Sequence, residues 1–117
     1  MSPKRGNRLA PPPGPGDWDV RARNSQAGRG WEELCRQAPG NALAAWTIMR
    51  RSPIPRAESP RHTRLKGALA TIRVGDRDLA HWQIEVTGAG RIWYLVDVDK
   101  GVVWVDYAGP GHPKATE

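Results

Sequence analysis

Apolar and polar positions alternate with period two through the second half of the chain. Trp82, Ile84 and Val86 alternate with His81, Gln83 and Glu85, which sets one group on a buried sheet face and the other on the opposite face. Thr87-Gly88-Ala89-Gly90 reads as a tight turn, and Arg91-Ile92-Trp93-Tyr94-Leu95-Val96 runs back from it, so these two strands are expected to pair antiparallel. Asp97-Val98-Asp99-Lys100-Gly101 supplies the next turn, and residues 102 to 107 are β-branched and aromatic enough for another strand. Upstream, residues 68 to 74 alternate as well and turn at Gly75-Asp76-Arg77-Asp78 into the Trp82 strand. A three-residue turn in the hairpin after Val86 would set Val86 against Ile92, Ile84 against Tyr94 and Trp82 against Val96. Gln83, Glu85, Arg91 and Trp93 would then share the other face.

The first half carries a different period. Trp31, Leu34, Cys35 and Ala38 fall at i, i+3, i+4 and i+7, as do Ala42, Ala45, Trp46 and Met49, and this is the spacing of a helix face. Asn24 or Ser25 can cap the first helix, Pro39-Gly40 breaks the chain, and Asn41 can cap the second. Trp31, Trp46 and Met49 are expected to pack against the sheet, and Cys35 to be a small core residue. Residues 17 to 22 alternate briefly, with Trp18, Val20 and Ala22 pointing inward, as a first strand. The order is β-α-α followed by a four-stranded antiparallel meander. It predicts an α+β domain, an N-terminal strand and a two-helix hairpin packed on a four-stranded antiparallel sheet.

A chain of 117 residues is one domain with a modest core. Residues 1 to 16 hold five of the eleven prolines, which predicts a basic, mostly disordered arm ahead of a domain spanning residues 17 to 117. Residues 50 to 61, rich in arginine and proline, read as an exposed basic connector. The net charge of +6 points to a polyanionic or acidic partner. Its distribution sharpens the point: residues 1 to 66 carry 13 Lys/Arg against 5 Asp/Glu, and residues 67 to 117 carry 5 against 7. The single cysteine rules out an internal disulfide. No apolar run approaches a membrane span and the N-terminus lacks an apolar signal core, so the expected compartment is the cytoplasm.

Arg64-Leu65-Lys66-Gly67, then Trp82-Gln83-Ile84-Glu85-Val86, then Gly90-Arg91-Ile92-Trp93-Tyr94, with a closing Gly111-His112-Pro113-Lys114, together resemble the RelE/ParE family of toxin–antitoxin toxins. The resemblance covers roughly residues 17 to 116. It implies a RelE-like fold and one of two activities: ribosome-dependent mRNA cleavage, as in the RelE-like branch, or inhibition of DNA gyrase, as in the ParE-like branch. It also implies a cognate antitoxin as partner, with operator DNA bound by the complex through the antitoxin. A degenerate toxin that only binds its antitoxin is a third outcome. The match assigns Arg91 as a catalytic residue and suggests His112 as the C-terminal histidine. The lysines that some members carry on the Gln83 strand are absent here, and only five residues follow His112, too few for a C-terminal helix or a late tyrosine.

Cleaving RNA without a metal or other cofactor needs a base for the 2′-OH proton, a cation for the phosphate charge and an acid for the 5′-oxygen. Glu85, Arg91 and His112 supply one group of each type, with Glu58 the second choice for base. Arg61, Arg64, Lys66 and Lys114 would hold phosphates, Gln83 would offer a polar contact, and Trp93 could stack on a base. His62 and His81 have no partners at ligand spacing, and no metal site is expected.

Overall fold

The computed structural model describes residues 4–7, 9 and 12–111. The fold is α+β, with two helices packed against a mixed sheet. Its elements are β1 (Asp19–Ala22), α1 (Ser25–Gln37), α2 (Pro39–Arg51), β2 (His62–Arg64), β3 (Thr71–Val74), β4 (Arg77–Glu85), β5 (Arg91–Asp97) and β6 (Val102–Gly109). The sheet runs in the order β1-β6-β5-β4-β2, and β3 pairs with the same edge of β4 further along. There are thus more strands than the meander alone predicts. β2 arises just after the connector, in residues that carry no alternating pattern of their own, and β1 joins the sheet beside β6 in parallel, Val20 opposite Val103 and Ala22 opposite Val105.

α1 begins where the sequence indicates, the Asn24 side chain accepting a hydrogen bond from Ala27 N at 2.8 Å. α2 begins earlier than expected because Pro39 occupies its first turn, where a missing N–H costs nothing. Asn41 is therefore not a cap. Its side-chain amide donates to Val86 O at 2.8 Å and ties α2 to the end of β4. The helix faces picked out by periodicity are the buried ones: Trp31 and Leu34 in α1, and Ala42, Ala45, Trp46 and Met49 in α2. They meet Val20, Ala22, Trp82, Ile84, Val86, Ile92, Tyr94, Val96, Val103 and Val105 in one core. α1 lies so close to β6 that a methyl group on Gly30 would come within 1.6 Å of Ala108 O.

The β4–β5 register differs from the expected one by two residues. Glu85 faces Arg91, Ile84 faces Ile92, Trp82 faces Tyr94 and Ala80 faces Val96, because the turn is centred one residue earlier, on Gly88, with Val86 N bonding to Gly90 O at 2.9 Å. A shift of two leaves every side chain on its face, whereas a shift of one would have inverted the strand. The apolar face is therefore as expected although each partner has changed.

The described residues before Asp17 are not detached. Gly6 N bonds to Ala22 O at 2.8 Å, Ala22 N to Asn7 O at 3.0 Å and Leu9 N to Val20 O at 3.1 Å, so these residues line β1. Leu9 joins the core, and Arg50 Nη2 donates to Pro12 O at 2.6 Å. For these residues the expectation of a disordered arm is corrected. The unpaired edge of β1 is a template that satisfies their backbone groups. No helix among the described residues is long and apolar enough to cross a membrane.

Candidate functional site

The sheet face turned away from the helices holds the charged and aromatic residues of β4, β5 and β6 other than Trp82 and Tyr94, which belong to the core, and most of them are engaged with one another. Arg91, directly opposite Glu85, is only 7% exposed. Its Nη1 donates to the carbonyls of Thr87 (3.1 Å), Gly88 (3.3 Å) and Gly90 (3.0 Å), and its Nη2 lies 3.7 Å from the Glu85 carboxylate. The guanidinium thus organises the β4–β5 loop. Trp93 is 5% exposed, and its indole N–H donates to Gln83 Oε1 at 2.8 Å. It offers no open face for a base, and the Gln83 oxygen is already spent.

Deeper on this face sits His81, which is 1% exposed. The edge strand opposite it is interrupted: Leu65 N bonds to His81 O and His81 N to Ala70 O, both at 3.0 Å, and residues 66–69 loop out between them. The loop turns Leu69 O onto His81 Nδ1 at 2.8 Å. A carbonyl only accepts, so Nδ1 carries a proton. Nε2 faces Asp106 Oδ2 at 3.3 Å, and Arg23 reaches Asp106 Oδ1 from the end of β1 at 2.7 Å. Burial pushes the Asp106 carboxyl up, but the adjacent His81 ring and Arg23 guanidinium outweigh it and leave it below the usual carboxylate range. Asp106 can reach this position because the β5–β6 register shifts at Trp93/Tyr94, making Asp106 the extra residue of a bulge.

The open chemistry lies at the β2 edge. Arg61, His62, Ser59 and Asn41 line a cleft of about 220 Å³ together with Ile48, Ile84, Glu85 and Val86. His62 pairs with Ile84, so alternation sends its ring to the helix side of the edge and the Glu85 carboxylate to the other side. The His62 ring nitrogen Nε2 is hydrogen-bonded to Tyr94 Oη, and Tyr94 Oη donates its single proton to Pro53 O at 2.6 Å. The hydroxyl can therefore only accept from His62, which fixes the proton on Nε2 and leaves Nδ1 as a lone pair. Burial lowers the His62 pKa below its ordinary 6.5, against the pull of the Glu58 carboxylate, so the ring is neutral at pH 7. Burial likewise raises the Tyr94 pKa and keeps the hydroxyl protonated.

Of the residues singled out by sequence, Arg61 and Glu85 meet at this cleft. Arg64 is beside it in β2, but its Nε and Nη2 donate to Ala70 O at 3.1 and 3.0 Å, and its guanidinium stands 5.8 Å from the Trp82 ring centre. Lys66 projects into solvent, 3.8 Å from Glu58. His112 and Lys114 lie outside the described residues. His62 was missed because its partners, Pro53 and Tyr94, are 9 and 32 positions away and no short spacing announces them. Among the described residues no three His, Cys, Asp or Glu side chains converge as a metal site would require. Comparison with protein-family models, curated proteins and solved structures finds no match to this chain.

Proposed function

We propose that this chain is the toxin component of a type II toxin–antitoxin system of the RelE/ParE kind, acting in the cytoplasm as a metal-independent, ribosome-dependent mRNA endoribonuclease. The observation that supports this reading best is His62, a neutral imidazole of fixed tautomer in a cleft that Arg61 also lines. In this mechanism Nδ1 takes the proton of a ribose 2′-OH. The 2′-oxygen attacks phosphorus, the bond to the 5′-oxygen breaks, and the products are a 2′,3′-cyclic phosphate and a 5′-hydroxyl. Arg61, joined by the solvent-facing Lys66, balances the charge that builds on the phosphate. His112, the acid suggested by the resemblance, would protonate the leaving oxygen. Glu85 yields the role of base to His62, since its carboxylate is turned to Arg91 on the other sheet face.

The experiment is induction in a bacterial host with parallel assays of reporter-mRNA cleavage on translating ribosomes, with and without chelator, and of DNA supercoiling. Wild-type protein should cleave mRNA equally in both conditions. His62→Gln should lose roughly 10² to 10⁴ in rate, and the rising limb of the wild-type pH–rate profile should lie below the ordinary imidazole value of 6.5. Undiminished cleavage by His62→Gln would remove His62 from the chemistry.

A second reading, a ParE-like binder that poisons gyrase without catalysis, is favoured by a different observation. A groove of about 880 Å³ runs along the helical hairpin, lined by Trp31, Cys35, Leu43 and Trp46 among others, and Leu43 is 65% exposed there. Growth arrest with intact mRNA and lost supercoiling would select it. On either reading a cognate antitoxin masks the toxin, and the complex contacts operator DNA through the antitoxin.

A further inference from the structure

On the sheet face away from the helices, the two edges of the molecule come together around Trp104. The arm contributes Arg5 and Gly6, the end of β1 contributes Arg23, and β3 with its turn contributes Arg73, Val74 and Gly75; with Trp104 they line a mouth of about 280 Å³. Arginines from three separate segments thus line one opening, and among the described residues no carboxylate lines it. The arm is held in place for this: Gly6 N bonds to Ala22 O, and Arg21 Nη1 donates to Gly6 O at 2.8 Å. Gly6 and Gly75 both have positive φ, and a methyl group on either would meet nothing within 4 Å, so the rim is open at both.

Each guanidinium keeps donors in reserve. Arg23 uses Nη1 on Asp106, and Arg73 uses Nη1 on Asp76 O at 2.8 Å and Nε toward Asp78 at 3.2 Å. Arg5 makes no ion pair among the described residues. A guanidinium has five N–H donors in a planar fork that matches phosphate oxygens two at a time, so a second anion can be held here without breaking the existing pairs. The volume suits a ligand near the lower limit of small-molecule sites, and the half-buried Trp104 indole supplies a flat wall of the kind on which a nucleobase stacks.

We propose that the mouth bounded by Arg5, Arg23, Arg73 and Trp104 is a nucleotide-binding site, taking the phosphate of a single nucleotide on the arginines and its base on the indole. It lies away from the Arg61–His62 cleft and shares no lining residue with it, so it stands whether or not the chain cleaves RNA. The phosphate can come from a free mononucleotide or from the end of an RNA strand, and the test separates them.

The experiment is titration of the full chain at low salt, followed by NMR of the Trp104 indole N–H, assigned with a Trp104→Phe variant. The ligands are AMP, adenosine, inorganic phosphate, and a short oligoribonucleotide with or without a 5′-phosphate. AMP is expected to shift the Trp104 signal saturably, with adenosine and inorganic phosphate each binding about tenfold more weakly. The Arg5→Ser/Arg73→Ser variant, altered only at exposed positions, should lose AMP binding, and Arg61→Ser should keep it. A preference for the 5′-phosphorylated oligonucleotide over AMP identifies a strand end as the source, and equal affinity identifies the free nucleotide. No saturable shift, a shift that survives the double variant, or adenosine or inorganic phosphate binding as tightly as AMP would each overturn the proposal.

Discussion

At the scale of the residue, Arg91 shows how one side chain can be read in two ways. Its position on the face opposite the core makes it a free cation for chemistry in the sequence, yet folded it gives one nitrogen to three loop carbonyls and another to Glu85. A charged donor bonded to buried acceptors contributes about 1.5–3 kcal/mol per hydrogen bond, with strong non-additivity. Arg91→Ala is accordingly expected to lower unfolding free energy by about 2–4 kcal/mol, measured by urea denaturation, and any loss of activity in that variant should track its unfolded fraction. A variant of wild-type stability and no activity would return Arg91 to a direct chemical role. His62 is the converse. It reads as an isolated histidine along the chain, and its tautomer is set only when the 53–94 contact forms.

At the scale of the element, two contacts decide how the helices and the arm sit. Gly30→Ala would favour α1 by about 1 kcal/mol through helix propensity alone. The added methyl would overlap Ala108 O at 1.6 Å, a strand carbonyl that already accepts from Gln26 Nε2 at 2.9 Å, so the overpacking cost of about 3 kcal/mol wins. Thermal unfolding of Gly30→Ala should show a marked fall in midpoint; a rise would mean that α1 stands further from β6. The arm carries the second contact. Removing residues 1 to 9 deletes Leu9 from the core, about 1.5–3 kcal/mol of burial, together with the bonds to Val20 and Ala22. The midpoint should drop by about 4 °C for each kcal/mol lost in a domain of this size, whereas an unchanged midpoint would show the arm to be dispensable.

At the scale of the whole molecule, the buried charges set a pH dependence. Asp97 is 1% exposed, and the Arg77 guanidinium, bonded to both of its oxygens at 2.7 and 2.8 Å, holds its carboxyl below the usual range. Asp106 is also lowered. A depressed carboxyl contributes stability above its unfolded pKa of about 3.9 and loses it as pH falls through the folded value. His62, neutral and depressed, works in the same direction from higher pH: the unfolded chain takes up its proton first as pH falls below about 6.5, which favours unfolding. Stability should therefore decline gently from pH 7 to 5 and steeply below about 4, read as the urea midpoint against pH. Asp97→Asn should flatten the acid limb, and a midpoint unchanged between pH 7 and 3 would contradict the ion-pair network.

The sequence by itself determined the helices, the strand faces and the α+β class, because those follow from periodicities of 3.6 and 2 that each segment carries within itself. Even the mistaken hairpin register kept the right face, since an error of two residues is invisible to alternation. Tertiary structure alone decided what depends on meeting across the chain. The Leu9 segment found β1, the edge opposite His81 opened to let Leu69 O turn inward, and a bulge brought Asp106 beneath His81. Pro53 and Tyr94 fixed the proton of His62, and three arginines from separate segments met around Trp104. Local pattern specifies which face a side chain takes. Only the closed sheet specifies which carbonyl, carboxylate or guanidinium it finds there, because those partners lie tens of residues away and are brought within hydrogen-bond range by packing.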